Sequence, residues 1–181
     1  FGAPCGFGKT TVAFELLREK KFELISGLES EGMLPEIKLN RDIVVIDDLQ
    51  EFQEDEDLQK LNEIIRDNPQ KKFVLLSRGV APGVFRAFQY TGDMIVIGVR
   101  DFLFDRDDIL FKYNIKLTDS EINEMLKESI GYPLGVAATL QCINHADGQR
   151  VYNSDIIKEV YHEVFLYFEA AIYHRFDFPI R

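Results

Sequence analysis

"GAPCGFGKTT", residues 2–11, sets three glycines, one lysine and two threonines in ten positions. Written as Ala3-x-x-x-x-Gly8-Lys9-Thr10, it has the spacing of a phosphate-gripping loop with alanine at the first small position. Small residues let successive backbone N–H groups turn inward around a phosphate. The helix that follows aims its positive end at the same point. Lys9 is then placed to reach the β- and γ-phosphates, and the Thr10 hydroxyl to bind Mg²⁺. Cys5, Gly6, Phe7, Gly8 and Thr11 complete the expected ATP/ADP-binding loop. The plainer alternative is a glycine-rich turn with a chance lysine.

Downstream, "KTTVAFELLREKK" sets Val12, Ala13, Leu16 and Leu17 on one helical face. "FELIS" (22–26) alternates as a short strand does. "DIVVIDD" (42–48) is apolar on both faces, the pattern of a buried parallel strand, and it ends in two aspartates. "DEDLQKLNEIIRDNP" carries Leu58, Leu61, Ile64 and Ile65 at helical spacing and stops at Pro69. "KFVLLSR" (72–78) and "MIVIGVR" (94–100) repeat the buried-strand pattern. Strands alternating with helices predict an α/β fold, a phosphate-loop NTPase sheet of parallel strands covered by helices.

The acidic strand end is a second part of the same expected site. A phosphate-loop enzyme holds its Mg²⁺ there, which makes Asp47 a metal ligand alongside Thr10. Asp48 is placed to polarise an attacking water as a base. Arg78, just past "FVLLS", is placed to sense the γ-phosphate or stabilise its departing charge. For both Asp48 and Arg78, a solvated side chain at a strand end remains the competing reading.

Beyond Arg100 the pattern turns helical, so residues 1–100 are expected to form the nucleotide-binding domain and 101–181 a helical subdomain. Asp105 begins a short helix, and "TDSE" (118–121) is a capping box opening the next. Gly131 and Pro133 stop it. An apolar stretch runs from Leu134 to about Ile143. "NSD" then caps a long helix with Ile156, Ile157, Val160, Val164, Phe168 and Ile172 along one side. Its aromatics, Tyr161, Phe165, Tyr167, Phe168, Tyr173 and Phe176, are expected to pack within the helical part and against a further domain.

Composition narrows the function classes. The chain has 181 residues, 46% hydrophobic and 29% charged, which is ordinary for a folded globular protein. Its net charge of −10 repels a phosphate backbone, so this segment is not expected to touch nucleic acid. No run approaches the roughly 18 apolar residues of a membrane span, and no leader is evident. The two cysteines, Cys5 and Cys142, have no metal-ligand spacing. The expected setting is cytoplasmic, with no membrane partner.

In order, "APCGFGKTT", "IVVIDDLQ", "FVLLSR" and "GYPLGV" resemble the signal-transduction ATPases with numerous domains. Within them, the chain is similar to the ATP-binding core of large LuxR-type transcriptional regulators of the maltose-regulon-activator kind. "DFLFDRDDI" resembles that family's passage into its helical subdomain, and "VYHEVFLYFEAAIYHRF" the helix leading into a winged-helix domain. The resemblance implies that Lys9 and Thr10 hold phosphate and metal, that Asp47 and Asp48 serve metal and water, and that Arg78 senses the γ-phosphate. It also implies that Pro133 packs on the adenine. Tyr132 stands where the family usually has tryptophan, and Gln50 where it has histidine. The interval from Lys9 to Asp47 is shorter than the family shows, as if a strand–helix unit were trimmed or residues absent.

The implied function is a slowly hydrolysing ATP switch whose nucleotide state controls inter-domain arrangement. The implied partners are sensor and DNA-binding domains of a longer parent, and the ATP state is a candidate for self-association. Because such a loop follows a strand, Phe1 is expected to be the last residue of one. The alternatives are an AAA-type ATPase that remodels a partner or DNA, drawing on Arg106, Arg150 or Arg175, and an interaction domain with a vestigial site.

Overall fold

β-Branched and aromatic residues build a parallel sheet from Phe22–Ser26 (β1), Ile43–Asp47 (β2) and Lys72–Leu75 (β3), in the order β1-β2-β3. The computed structural model describes residues 1–113, 117–145 and 152–171. These divide between two units, Phe1–Asp101 and Phe102–Arg181. The fold is α/β, as expected for the alternating pattern.

β2 is the central strand, and Val44, Val45 and Ile46 are wholly buried. Successive side chains point to opposite faces, so the strand serves two cores at once. Val44 and Ile46 pack with Ile25, Leu49, Phe52, Leu61 and Phe85. Val45 packs with Ala13 and Leu76. The first core takes Leu61 from Asp55–Asp67 (α2), whose three acidic residues in the first turn suit the positive helix end. The second takes Ala13 from Lys9–Leu16 (α1).

α1 departs from the expected face. Ala13 is buried, but Val12 is exposed and Leu16 is 66% exposed. An eight-residue helix beside a loop reaches the sheet along one narrow row, and residues four apart, Lys9 and Ala13, form that row.

Parallel neighbours need a crossover of about a dozen residues or more. Between β1 and β2, residues 27–42 supply it as turns and extended chain, without a helix.

Beside β3, the first residues of the chain act as a strand-like piece. Gly2 bridges Ser77 on one side and Gly98 on the other, both in parallel. The Ser77 N–H donates to Phe1 O over 2.9 Å, and the Gly2 N–H to Ile97 O over 2.8 Å. The expected strand over 94–100 does not form. Its backbone meets Gly2 at the Gly98 bridge, Met94 packs against the first core, Ile95 is 85% exposed, and a short helix, Val99–Phe102, follows at once. An apolar run becomes a strand only where a neighbouring backbone can pair with it, and Gly2 offers a single position. Arg86–Thr91 (α3) precedes this segment, and Val99–Phe102 is α4.

In the second unit every regular element among the described residues is helical: Arg106–Lys112 (α5), Asp119–Ser129 (α6), Pro133–His145 (α7) and Ser154–Ala171 (α8). Capping boxes open α5 at Asp105/Asp108 and α6 at Thr118/Glu121. The Asn153 side chain accepts from the N–H groups of Asp155 and Ile156 at the start of α8. The stop of α6 falls at Ile130 and Gly131, both left-handed, while Pro133 is the first residue of α7. Ile109, Ile122, Met125, Val136, Leu140 and Ile157 form this unit's core. Phe165 and Tyr167 of α8 are exposed. Ile172, Tyr173 and Phe176 lie outside the described residues, as do Arg150 and Arg175. Among the described residues no helix is long and apolar enough to cross a membrane.

Candidate functional site

The glycine-rich loop turns on two left-handed residues, Gly6 at φ 79° and Gly8 at φ 75°. Gly8 is also the N-cap of α1, so the loop runs straight into the helix. The first intrahelical bond joins the Val12 N–H to Gly8 O at 2.8 Å. The N–H groups of Lys9, Thr10 and Thr11 therefore point out of the helix start with no acceptor in the preceding turn. This is the geometry that favours an anion.

Lys9 is the first residue of α1 and 9% exposed, and its Nζ donates to Pro4 O over 3.0 Å. Burial pulls its ammonium below the ordinary lysine value of 10.5. Cys5, Asp47 and Asp48 oppose that shift, and Arg78 adds to it. One cation thus has the charged groups of β2's end and the residue after β3's extension within electrostatic reach.

Asp47 ends β2. Its Oδ2 accepts from the Thr10 hydroxyl over 2.9 Å, and its Oδ1 from the Asp48 N–H over 2.8 Å. The second bond turns the carboxylate so that the other oxygen faces Thr10. Hard oxygen donors of this kind suit Mg²⁺. Among the described residues no cluster of three or more His, Cys, Asp or Glu could hold a metal. A cation between Thr10 and Asp47 would take the rest of its shell from phosphate and water.

Asp48 leaves the strand at φ 53°, left-handed, and caps a 3₁₀ turn over Leu49–Glu51. Aspartate tolerates that conformation better than most residues. The turn needs room: a Cβ at Gly27 would lie 2.5 Å from Asp48 O. Asp48 Oδ1 receives Arg78 Nη2 at 3.2 Å, with both side chains largely shielded. Arg78 is set by the chain after β3, where Ser77 is buried against the Phe1–Ala3 piece.

Lys9, Thr10, Asp47, Asp48 and Arg78 are therefore brought together within the first unit. Cys5, Gly6, Phe7 and Gly8 form the loop itself and are partly buried, while Thr11 is exposed. Pro133 belongs to the second unit, where it is buried at the head of α7. Its neighbour Gly131 has a local duty. The Gly131 O accepts from the Phe104 N–H over 2.8 Å, and a Cβ on Gly131 would sit 2.6 Å from Phe104 O. Arg106 is exposed and paired with Asp119 at 2.6 Å.

Gln50, noted in the sequence for its place after the acidic pair, bonds to two of these residues. Gln50 donates from Nε2 to Asp48 Oδ1 over 3.1 Å and accepts at Oε1 from the Arg78 N–H over 2.9 Å. The sequence marks Gln50 as standing where the resembled family has histidine, without indicating these hydrogen bonds. No protein-family model matches the chain, and no curated protein matches its sequence.

Proposed function

We propose that the chain is a nucleotide-binding switch module: it binds ATP or ADP with Mg²⁺ at residues 5–11, hydrolyses ATP slowly, and reports nucleotide state to the rest of a longer LuxR-type regulator. The observation that carries this reading is the meeting of Lys9, Thr10, Asp47, Asp48 and Arg78, drawn from α1, β2 and the segment after β3, around one loop of outward N–H groups.

In this reading the loop N–H groups and Lys9 bind the β- and γ-phosphates, and Thr10 and Asp47 hold the metal. Mg²⁺ neutralises charge on the phosphate oxygens. Asp48 takes a proton from water as its oxygen bonds to the γ-phosphorus and the bridging bond to ADP breaks. Arg78 has two anions to choose between, Asp48 and the γ-phosphate. A ligand shifts an equilibrium only by differential contact, and this choice is what makes ATP and ADP different.

Competition binding with a fluorescent nucleotide tests the reading. Wild type is expected to discriminate ATP from ADP by about five-fold or more, and Arg78→Ala to bring that ratio near one. An unchanged ratio in the variant would remove Arg78 as the γ-phosphate sensor.

A further inference from the structure

We infer that the outer edge of β1 docks an extended peptide segment of alternating apolar and basic residues, which adds to the sheet as a further strand; the inference does not rest on ATP. The sheet order β1-β2-β3 leaves β1 with one strand neighbour among the described residues. The register says which backbone groups are left open. β1 pairs with β2 in parallel and in unbroken register, and just past it the Gly27 N–H donates to Asp47 O over 2.9 Å. Backbone groups alternate sides along a strand, so those of Glu23 and Ile25 face β2, and those of Phe22, Leu24 and Ser26 face outward. The turn after β1 takes the Ser26 O through the Ser30 N–H at 3.0 Å. The N–H and C=O groups of Phe22 and Leu24 have no partner among the described residues, and Leu24 is 48% exposed.

An open strand edge pairs with a second backbone, and the side chains beside it choose the sequence. A groove of about 470 Å³ is lined by all five residues of β1 and by the crossover segment after it. Glu23, Glu29 and Glu36 outnumber Lys38 and Arg41 along its walls. Glu23 Oε1 accepts from the Lys38 N–H over 3.0 Å, while Oε2 is shielded from water and has no donor among the described residues. A cationic donor relieves such an oxygen better than a neutral one. The terminal torsion of a glutamate is soft, which lets its carboxylate turn toward a donor entering the groove. A residue paired directly opposite Glu23 brings its Cβ to about 4.5–5.5 Å, so a lysine or arginine there reaches the carboxylate. Its neighbours in the added strand fall on the other face, beside Phe22 and Leu24, where apolar side chains cover the exposed leucine. Apolar, basic, apolar is the pattern this edge selects. A second copy of the chain is a poorer occupant, since it sets a net charge of −10 against itself.

The test is fluorescence anisotropy with labelled peptides of about eight residues, long enough to pass the whole edge. One alternates valine and lysine, and a second alternates valine and glutamate. The third is the first with its backbone nitrogens methylated, which keeps the charge and removes the N–H donors. Each is titrated against wild type, Glu23→Gln and Glu56→Gln. Glutamine at position 23 keeps an acceptor for the Lys38 N–H and loses the charge, and Glu56 is an exposed carboxylate on α2 that does not line the groove. Wild type is expected to bind the lysine peptide at least about ten-fold tighter than either of the others. Glu23→Gln is expected to weaken that binding about five-fold or more, and Glu56→Gln to leave it within about two-fold. No saturable binding of the lysine peptide overturns the inference. So does equal affinity for the methylated peptide, the mark of attraction by net charge alone. An unchanged affinity in Glu23→Gln, or the same loss in Glu56→Gln, overturns it too. Should Glu23→Gln fail to fold, the lysine and methylated peptides on wild type decide alone. In sedimentation, a dimer that Leu24→Pro dissolves, by removing an outward N–H, gives the edge to a second copy and overturns the proposal.

Discussion

The Thr10 hydroxyl donates to Asp47 Oδ2 across 2.9 Å and so joins the first turn of α1 to the end of β2. Each residue offers an oxygen that could ligate the Mg²⁺ of the proposed site. Thr10→Val keeps the shape and removes the hydroxyl. Its free-state cost is one hydrogen bond, about 1 kcal/mol. Mg²⁺ is expected to strengthen ATP binding in wild type at least about ten-fold more than in this variant. Titrations with Mg²⁺ and with a chelator check it, and equal metal dependence in the two proteins would take Thr10 out of the metal site.

Lys9 links binding to protons. Burial holds its folded-state value below 10.5, so the ammonium is lost earlier in the folded chain than in the unfolded one. A bound phosphate reverses that shift. As pH rises toward the ordinary lysine value, ATP binding is therefore expected to take up protons, and affinity to fall. Calorimetry in buffers of different ionisation enthalpy measures the uptake. It should vanish in Lys9→Arg, whose guanidinium stays charged. Proton release, or the same uptake in Lys9→Arg, contradicts the assignment.

In the helical unit, Tyr152 is pushed up to about 12 by burial, with Glu124, Glu128 and Glu121 acting the same way. Its hydroxyl is buried without a hydrogen-bond partner. A raised value means the unfolded chain loses this proton first. The contribution is whole below about pH 10 and is lost as pH rises toward about 12. Tyr152→Phe is expected to flatten that alkaline decline and to melt no lower than wild type at neutral pH, since it removes an unsatisfied polar group. Melting temperature against pH tests both halves.

Gly131 holds φ 68°, and its added Cβ would meet Phe104 O at 2.6 Å. Gly131→Ala is expected to cost about 1–3 kcal/mol of stability. Urea unfolding measures it, and an unchanged midpoint would contradict the close approach.

The parts of this fold that are local were legible. β1, β2, α2, the helix start at Asp105 and the capping box at Thr118 each announce themselves in a few consecutive residues. The segment 94–100 misled because apolarity says nothing about whether a backbone neighbour exists, and Gly2 supplies one position. α1 misled because the two-face geometry of a short helix depends on where its loop delivers it. At the site, Lys9, Thr10, Asp47 and Asp48 stood out by spacing. The hydrogen bonds of Gln50 did not, because one of its partners is the Arg78 main chain, 28 positions away.

Calorimetric titration of wild type and Lys9→Ala with MgATP at neutral pH tests the central claim most directly. Wild type is expected to bind one ATP per chain. Lys9→Ala should lose at least about 3 kcal/mol, a hundred-fold or more in affinity, because the phosphates then enter a shielded loop without their counter-charge. Equal ATP affinity in the two proteins, or no heat of binding in wild type, would contradict the account.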